Sequence, residues 1–235
     1  MYEEMVELAK NMGVRLSLEV IPLFERYAAL LLQENKNKNL TRITEPREIM
    51  IKHFLDSLAL LAAGGCPQGP LLDVGSGAGM PGIPLKIACP GLQLTMLDAQ
   101  KKRAAFLMLA AERLALSATK VLHRRAEDAA RLTAYREAFP VVVSRAVAPL
   151  NTLVELCLPF VAVGGFFVAY KGPEGENEAQ KARPAMTELG CDAYDVLVYQ
   201  LPEKKGERTL LLLKKNRPTP EKYPRKAGLP AKRPL

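Results

Sequence analysis

Two regimes of hydrophobic spacing divide the chain. Through residue 64 the apolar positions recur at helical intervals, with Val20, Phe24, Tyr27 or Ala28, and Leu31 on one stripe. Ser17 can cap this helix, which is predicted to run through Gln33, with Pro22 near its first turn. The polar run Asn35-Lys36-Asn37-Lys38-Asn39 reads as a break. Thr44 can cap a second helix with Pro46 in its first turn, continuing through Ile49, Lys52, His53 and Leu60 to Gly64-Gly65. From Pro70 onward short apolar runs alternate with helical stretches. Strands are predicted over 70–75, 92–98, 119–123, 140–145 and 165–170, each followed by a helix, over 82–89, 100–114, 127–138, 150–158 and 175–189. Two late strands, near 193–201 and 207–214, close the series as a hairpin. This alternation predicts an α/β, Rossmann-like fold: a seven-stranded, mostly parallel sheet with helices on both faces, plus an N-terminal helical extension. Ligands of such sheets bind at the carboxyl ends of the strands, where the strand order reverses.

The first two strands end in candidate chemistry. Leu71-Leu72-Asp73-Val74 runs into Gly75-Ser76-Gly77-Ala78-Gly79-Met80-Pro81-Gly82, a glycine-packed turn before a helix start. Alternate glycines let the backbone turn sharply and bring a nucleotide-like ligand against bare main chain. The second strand ends at Asp98, whose carboxylate can accept both ribose hydroxyls of an adenosine. A dinucleotide fingerprint can be laid on Gly77, Gly79 and Gly82, but that frame starts two residues late relative to the strand. The strand's own ending, Asp73-x-Gly75-x-Gly77-x-Gly79, is the pattern associated with S-adenosylmethionine methyltransferases. That cofactor has no pyrophosphate and needs no anion cradle, while its ammonium gives Asp73 a direct or water-mediated partner.

Composition narrows the setting. With 49% apolar and 25% charged residues and no run of about 20 apolar positions, a cytoplasmic, membrane-independent protein is expected. Cys66, Cys89, Cys157 and Cys191 are scattered without C-x-x-C spacing, so they read as reduced core thiols and no metal site is expected. The net charge of +8 is concentrated at the C-terminal end, where residues 214–235 carry eight Lys or Arg against Glu221 alone. Five prolines keep this stretch from forming an ordinary helix, and it reads as a basic arm for a phosphate backbone. The organisation expected is therefore a helical extension over 1–64, a cofactor-binding domain over 65–215 and a basic, proline-rich tail over 216–235.

The later strand ends carry cations and lack the usual catalytic motifs. After the third strand comes Arg124-Arg125-Ala126-Glu127-Asp128, where Ala126 and an acidic neighbour can shape an adenine pocket. Helix capping and dipole compensation explain Glu127 and Asp128 equally well. The fourth strand ends in Ser144-Arg145-Ala146-Val147-Ala148, without the D/N-P-P-Y/F used to methylate exocyclic amines or the Pro-Cys of cytosine-C5 enzymes. Guanine N7 has a free lone pair and no proton to lose, so transfer to it needs alignment rather than a general base. Arg145 is placed to pin the base or the backbone of such a substrate, and Lys171 and Arg208 extend a basic rim. His53, Asp56 and Ser57 share a helical face and are candidates either for a pocket lip or for docking the N-terminal helices onto the sheet.

The chain resembles the RsmG (GidB) family, bacterial class I methyltransferases that make N7-methylguanosine in 16S rRNA near the decoding site. The resemblance covers nearly the whole chain. It is carried by Asn39-Leu40-Thr41-Arg42, Lys52-His53-Phe54-Leu55-Asp56-Ser57, Asp73 to Pro84, Arg125 to Asp128, Ser144 to Ala148, Lys171-Gly172 and Lys222 to Gly228. It implies that Gly75, Met80, Asp98, Ala126, Glu127 and Arg145 touch S-adenosylmethionine, with Asp73 and Gly77 in the same turn. It further implies that Arg125, Lys171 and Arg208 line the RNA side, and that the partner is 16S rRNA, free or within the small subunit or its precursor, met by a monomer. Relatives often have Phe or Leu at position 80 and Ser at position 99, where this chain has Met80 and Ala99. Two other functions remain open at this point: an RNA-binding assembly factor without turnover, and a small-molecule methyltransferase.

Overall fold

Every strand expected from the alternation is present in the computed structural model, which describes residues 2–235. The strands are β1 (Pro70–Val74), β2 (Gln93–Asp98), β3 (Thr119–His123), β4 (Phe139–Arg145), β5 (Val161–Lys171), β6 (Ala193–Gln200) and β7 (Glu207–Lys214). They form one sheet in the order β3-β2-β1-β4-β5-β7-β6. The first five run parallel, and β7 lies antiparallel between β5 and β6. The order reverses between β1 and β4, which opens a crevice above the carboxyl ends of those two strands.

The two faces are covered differently. On one, α1 (Glu4–Asn11), α2 (Ile21–Lys38), α5 (Gly82–Ala88) and α6 (Lys101–Arg113) enclose a core running from Met5, Phe24 and Phe54 to Leu71, Ile83 and Met96. The N-terminal helices thus share their core with the sheet. On the other face α8 (Leu150–Cys157) and α9 (Gly175–Glu188) pack with β4 and β5, and Tyr223 of the tail joins them.

Several local expectations change. α2 runs through the polar stretch to Lys38, because Glu34 pairs with Lys38 and Asn39 takes the left-handed cap (φ 51°). Asn35 bonds both the N–H and the carbonyl of Thr41, so it organises the next loop instead of ending the helix. Glu45, not Thr44, caps the following helix, its carboxylate accepting from the Glu48 N–H. That helix begins as α3 (Pro46–Ile49), widens into a π turn over Met50–Leu55 and continues as α4 (Asp56–Gly64). The helix expected over 127–138 is only α7 (Ala126–Ala129). Beyond it Arg131 and Arg136 donate to carbonyls of Thr219, Tyr223 and Pro224, and Glu137 (φ 50°) accepts from Lys215 and Thr219, so tertiary bonds override helical propensity.

Two larger corrections concern the cysteines and the tail. Cys66 and Cys89 are joined in a disulfide, Cα to Cα 5.9 Å, while Cys157 and Cys191 are buried free thiols. The pair is brought together because α5 runs back to the amino ends of the strands, where the loop into β1 also lies. The basic tail is docked rather than free. Arg225 pairs with the fully buried Glu155, Lys215 is itself fully buried against Glu137, and Arg217 and Lys222 pair with Asp192 and Glu188. The chain then folds into α10 (Leu229–Lys232).

Candidate active site

The loop that follows β4 divides the crevice into two clefts. Arg145 ends the strand, Ala146 takes the left-handed conformation (φ 56°), and Val147 packs so tightly on β1's exit that a Cβ at Gly75 would lie 2.4 Å from it. On one side is a cleft of about 270 Å³ lined by Gly75, Asp98, Ala99, Arg125, Ala126 and Glu127, with Val147 and Ala148 as its wall. On the other is a cleft of about 400 Å³ lined by Lys52, His53, Asp56, Arg145, Lys171, Glu178 and Arg208.

The first cleft combines small residues, two hydrogen-bonded carboxylates and the side chains of Arg124 and Arg125. Gly75, Gly77 and Gly79 all have positive φ, the conformation that this turn requires of them. Asp98 accepts from the Gly77 N–H at 2.9 Å and the Gln100 N–H at 2.8 Å, one to each oxygen. Each oxygen retains a second lone pair, so the same carboxylate can clamp the glycine turn and accept ribose hydroxyls. Glu127 accepts from the Gly228 N–H at 2.8 Å, which brings the tail to the rim, and Gly228 and Ala231 complete the lining. Asp73 lies beneath the turn, fully buried. One oxygen accepts from the Gly82 N–H at 3.0 Å and the other, Oδ1, has no partner. Burial pushes its carboxyl up to about 7.

These features fit S-adenosylmethionine. The adenosine half matches a small cleft with a carboxylate at a strand end, and the methionine ammonium would supply the charge that the orphaned Asp73 oxygen lacks. Not all of the expected contacts line this cleft: Arg145 lines the second one, Asp73 is buried beneath the glycine turn, and the Met80 side chain is buried against Tyr27 and Ser57.

The second cleft is held by an ionic network crossing from the N-terminal helices to the sheet. Arg145 donates to Asp56 Oδ2 at 2.7 Å, to the Lys52 carbonyl at 3.0 Å and to His53 Nδ1 at 3.1 Å. Because an arginine can only donate, His53 Nδ1 is the acceptor and Nε2 carries the proton, donating to Thr41 Oγ1 at 2.8 Å. Burial, reinforced by Arg145, pulls the imidazole down to about 4, which keeps it neutral. Tyr199 donates to Asp56 Oδ1 at 2.7 Å, and Arg208 Nε lies 3.9 Å from the same oxygen. Lys171 donates to the Ala148 carbonyl at 2.9 Å and to Glu178 at 2.8 Å.

Most of the residues read from the sequence therefore meet here. His53, Asp56, Arg145, Lys171 and Arg208 share the second cleft, and Gly75, Asp98, Ala126 and Glu127 share the first. Arg125, expected on the RNA side, lines the first cleft instead, because the end of β3 lies beyond β2 and away from Arg145. Ser57 is buried behind the second cleft, bonded to the His53 carbonyl. The rim is less basic than expected, since Lys171 is largely buried as a strut and Arg145 is neutralised by Asp56. Thr41, Glu178 and Tyr199 were not anticipated, and of these only Thr41 lies in a stretch that marked the resemblance.

Fold and clefts together define a class I, S-adenosylmethionine-dependent methyltransferase. The comparisons with known proteins agree. The family model GidB, described as rRNA small subunit methyltransferase G, matches residues 20–209. A ribosomal RNA small subunit methyltransferase G of Moorella thermoacetica is 47% identical over 97% of this chain and 95% of its own. That of Carboxydothermus hydrogenoformans is 45% identical over 95% of each. Among solved structures, cofactor-bound Rv0187 from MTB shares the fold, with a TM-score of 0.57, 19% identity, and coverage of 81% of this chain and 90% of that one. The chain belongs to the GidB family, rRNA small subunit methyltransferase G.

Proposed function

We propose that the protein methylates N7 of a guanine in the 16S rRNA of the small ribosomal subunit, acting as a monomer in the cytoplasm. The observation that carries this reading is the pair of clefts sharing one wall. A cleft suited to adenosine, with the glycine turn and Asp98 on one side, lies across residues 146–148 from a second cleft lined by arginine, lysine and carboxylate side chains. Bound S-adenosylmethionine supplies an electrophilic methyl group on its sulfonium. The lone pair of guanine N7 forms the new bond as the carbon–sulfur bond breaks, and the positive charge passes to the base. No proton leaves the base, so the arrangement needs no general base, and His53 is held neutral with both nitrogens engaged. Arg145 cannot donate to N7 during attack without blocking its lone pair. Its free N–H groups are suited to O6 or a phosphate.

The test is methyl transfer from labelled S-adenosylmethionine to 16S rRNA, offered free and within small subunits lacking the modification, followed by mapping of the product. A single N7-methylguanosine is expected. Transfer to another atom or to a small molecule, or cofactor binding without transfer to either RNA form, overturns the reading.

A further inference from the structure

A guanine seated for attack by N7 turns its opposite edge, with the N1–H and the N2 amine, toward other protein atoms. Adenine presents an acceptor at N1 and nothing at N2. An enzyme of this kind therefore gains selectivity from a hydrogen-bond acceptor in the base cleft. Two carboxylates line that cleft. Asp56 is nearly buried and both its oxygens are engaged, one by Arg145 and one by Tyr199. Glu178 is one-third exposed. Its Oε2 accepts from the Lys171 ammonium and from the Leu150 N–H, each at 2.8 Å, while Oε1 has no hydrogen bond to any described residue. The N–H of Leu150 is the first of α8, so Oε2 is fixed by a helix end and a buried cation, and Oε1 is left for a ligand.

We propose that Glu178 is a specificity-determining residue, its free Oε1 accepting from the N1–H or N2 amine of the target guanine. The inference rests on the guanine-N7 reading above. Glu178 has a second consequence for the reaction. Methylation at N7 makes the base cationic and its N1–H more acidic, so a carboxylate on that edge bonds more strongly as the methyl transfers. Lys171 is then a positioning residue: its ammonium, held also by the Ala148 carbonyl, orients the glutamate rather than touching RNA.

The fixed orientation makes the test sharp. In Glu178→Gln the amide oxygen must face the two donors, Lys171 and Leu150, which turns the NH₂ group toward the cleft. The helix end stays capped while the cleft-facing atom changes from acceptor to donor. Small subunits reconstituted with guanine or adenine at the modified position are the substrates, and the guanine position mapped in the wild type defines the site. Expected are a fall of about tenfold or more in kcat/KM for guanine, a rise of about tenfold or more in the adenine-to-guanine ratio, and an unchanged Kd for S-adenosylmethionine. Glu178→Ala, which removes the acceptor without adding a donor, should lower guanine turnover without the gain for adenine. An unchanged ratio in Glu178→Gln overturns the proposal, as does a loss shared equally by both bases with a lowered Tm. Wild-type enzyme that methylates no guanine N7 overturns the functional reading itself, a result separable from the behaviour of the variants.

Discussion

The two clefts are built on opposite plans. The adenosine-side cleft takes its first half from two consecutive β–α turns: residues 73–82 and Asp98 stand close in sequence, and their polar atoms are bonded mainly to backbone N–H groups. The base-side cleft is assembled from Thr41, His53 and Asp56 in the helical extension, Arg145 at the end of β4, and Tyr199 and Arg208 in the closing hairpin. The glycine turn and Asp98 of the cofactor cleft can thus be formed within a local unit, with residues 147–148 and 228–231 closing it later. The substrate cleft, by contrast, takes all its polar groups from distant parts of the chain. Losses in the second should therefore cost folding as well as turnover, and losses in the first should fall mainly on cofactor affinity.

The largest effect expected from this contrast is that of Arg145→Met. It leaves the nearly buried Asp56 with only Arg208, 3.9 Å away, as a cation, and should lower unfolding free energy by about 3 kcal/mol and abolish methyl transfer. Urea denaturation at the wild-type midpoint would show that the network is not structural. Asp98→Ala tests the other cleft. A loss of about 1.5–3 kcal/mol in S-adenosylmethionine affinity is expected by calorimetry, with RNA affinity kept. An unchanged Kd would remove Asp98 from the ribose. Deleting residues 227–235 comes next. It strips Glu127 of the Gly228 N–H and takes away the wall made by Gly228 and Ala231, for an expected loss of about 1–2 kcal/mol in cofactor affinity. Weaker RNA binding with cofactor affinity intact would return the tail to the role of a basic arm.

What could be read from the sequence follows the same division. The succession of strands and helices, the glycine turn and the position of Asp98 were legible because their signals are local: apolar runs, φ-permissive glycines, a carboxylate at a strand end. Glu178 was illegible because it lies on the helical periodicity of α9, and only the fold brings it to Lys171 and the start of α8. The docking of the tail was illegible for a related reason: half of its cations, Lys215, Arg217, Lys222 and Arg225, are engaged in ion pairs. Its cations were counted, but their partners Glu137, Glu155, Glu188 and Asp192 lie far back in the chain and carry no mark of pairing. Met80 was expected at the cofactor from resemblance alone, and the fold adds what its spacing could not show: its side chain packs on Tyr27, whose hydroxyl donates to the Ala78 carbonyl at 2.5 Å.

The smallest effect is one of pH, and it separates the clefts by sign. Asp73 keeps its proton to about 7 in the fold and to 3.8 ordinarily, so between these values the folded chain binds the extra proton and stability falls as pH rises. His53 does the reverse. Its proton leaves near 4 in the fold and near 6.5 ordinarily, so the unfolded chain binds more in that window and stability falls as pH drops. The two slopes oppose each other over most of the same range, and Asp73→Asn should expose the His53 slope as stability that climbs from pH 4 to 6.5. For ligand binding only one of them acts above pH 6, because His53 in the fold is already neutral. If the ammonium of S-adenosylmethionine pairs with Asp73, binding favours the carboxylate and releases a proton below pH 7. Affinity should then rise about fivefold, or about 1 kcal/mol, between pH 6 and pH 7, and Asp73→Asn should flatten that rise. A wild-type Kd that is level across this interval would mean that the ammonium is held elsewhere, and that the unpartnered Asp73 oxygen serves the glycine turn instead of the ligand.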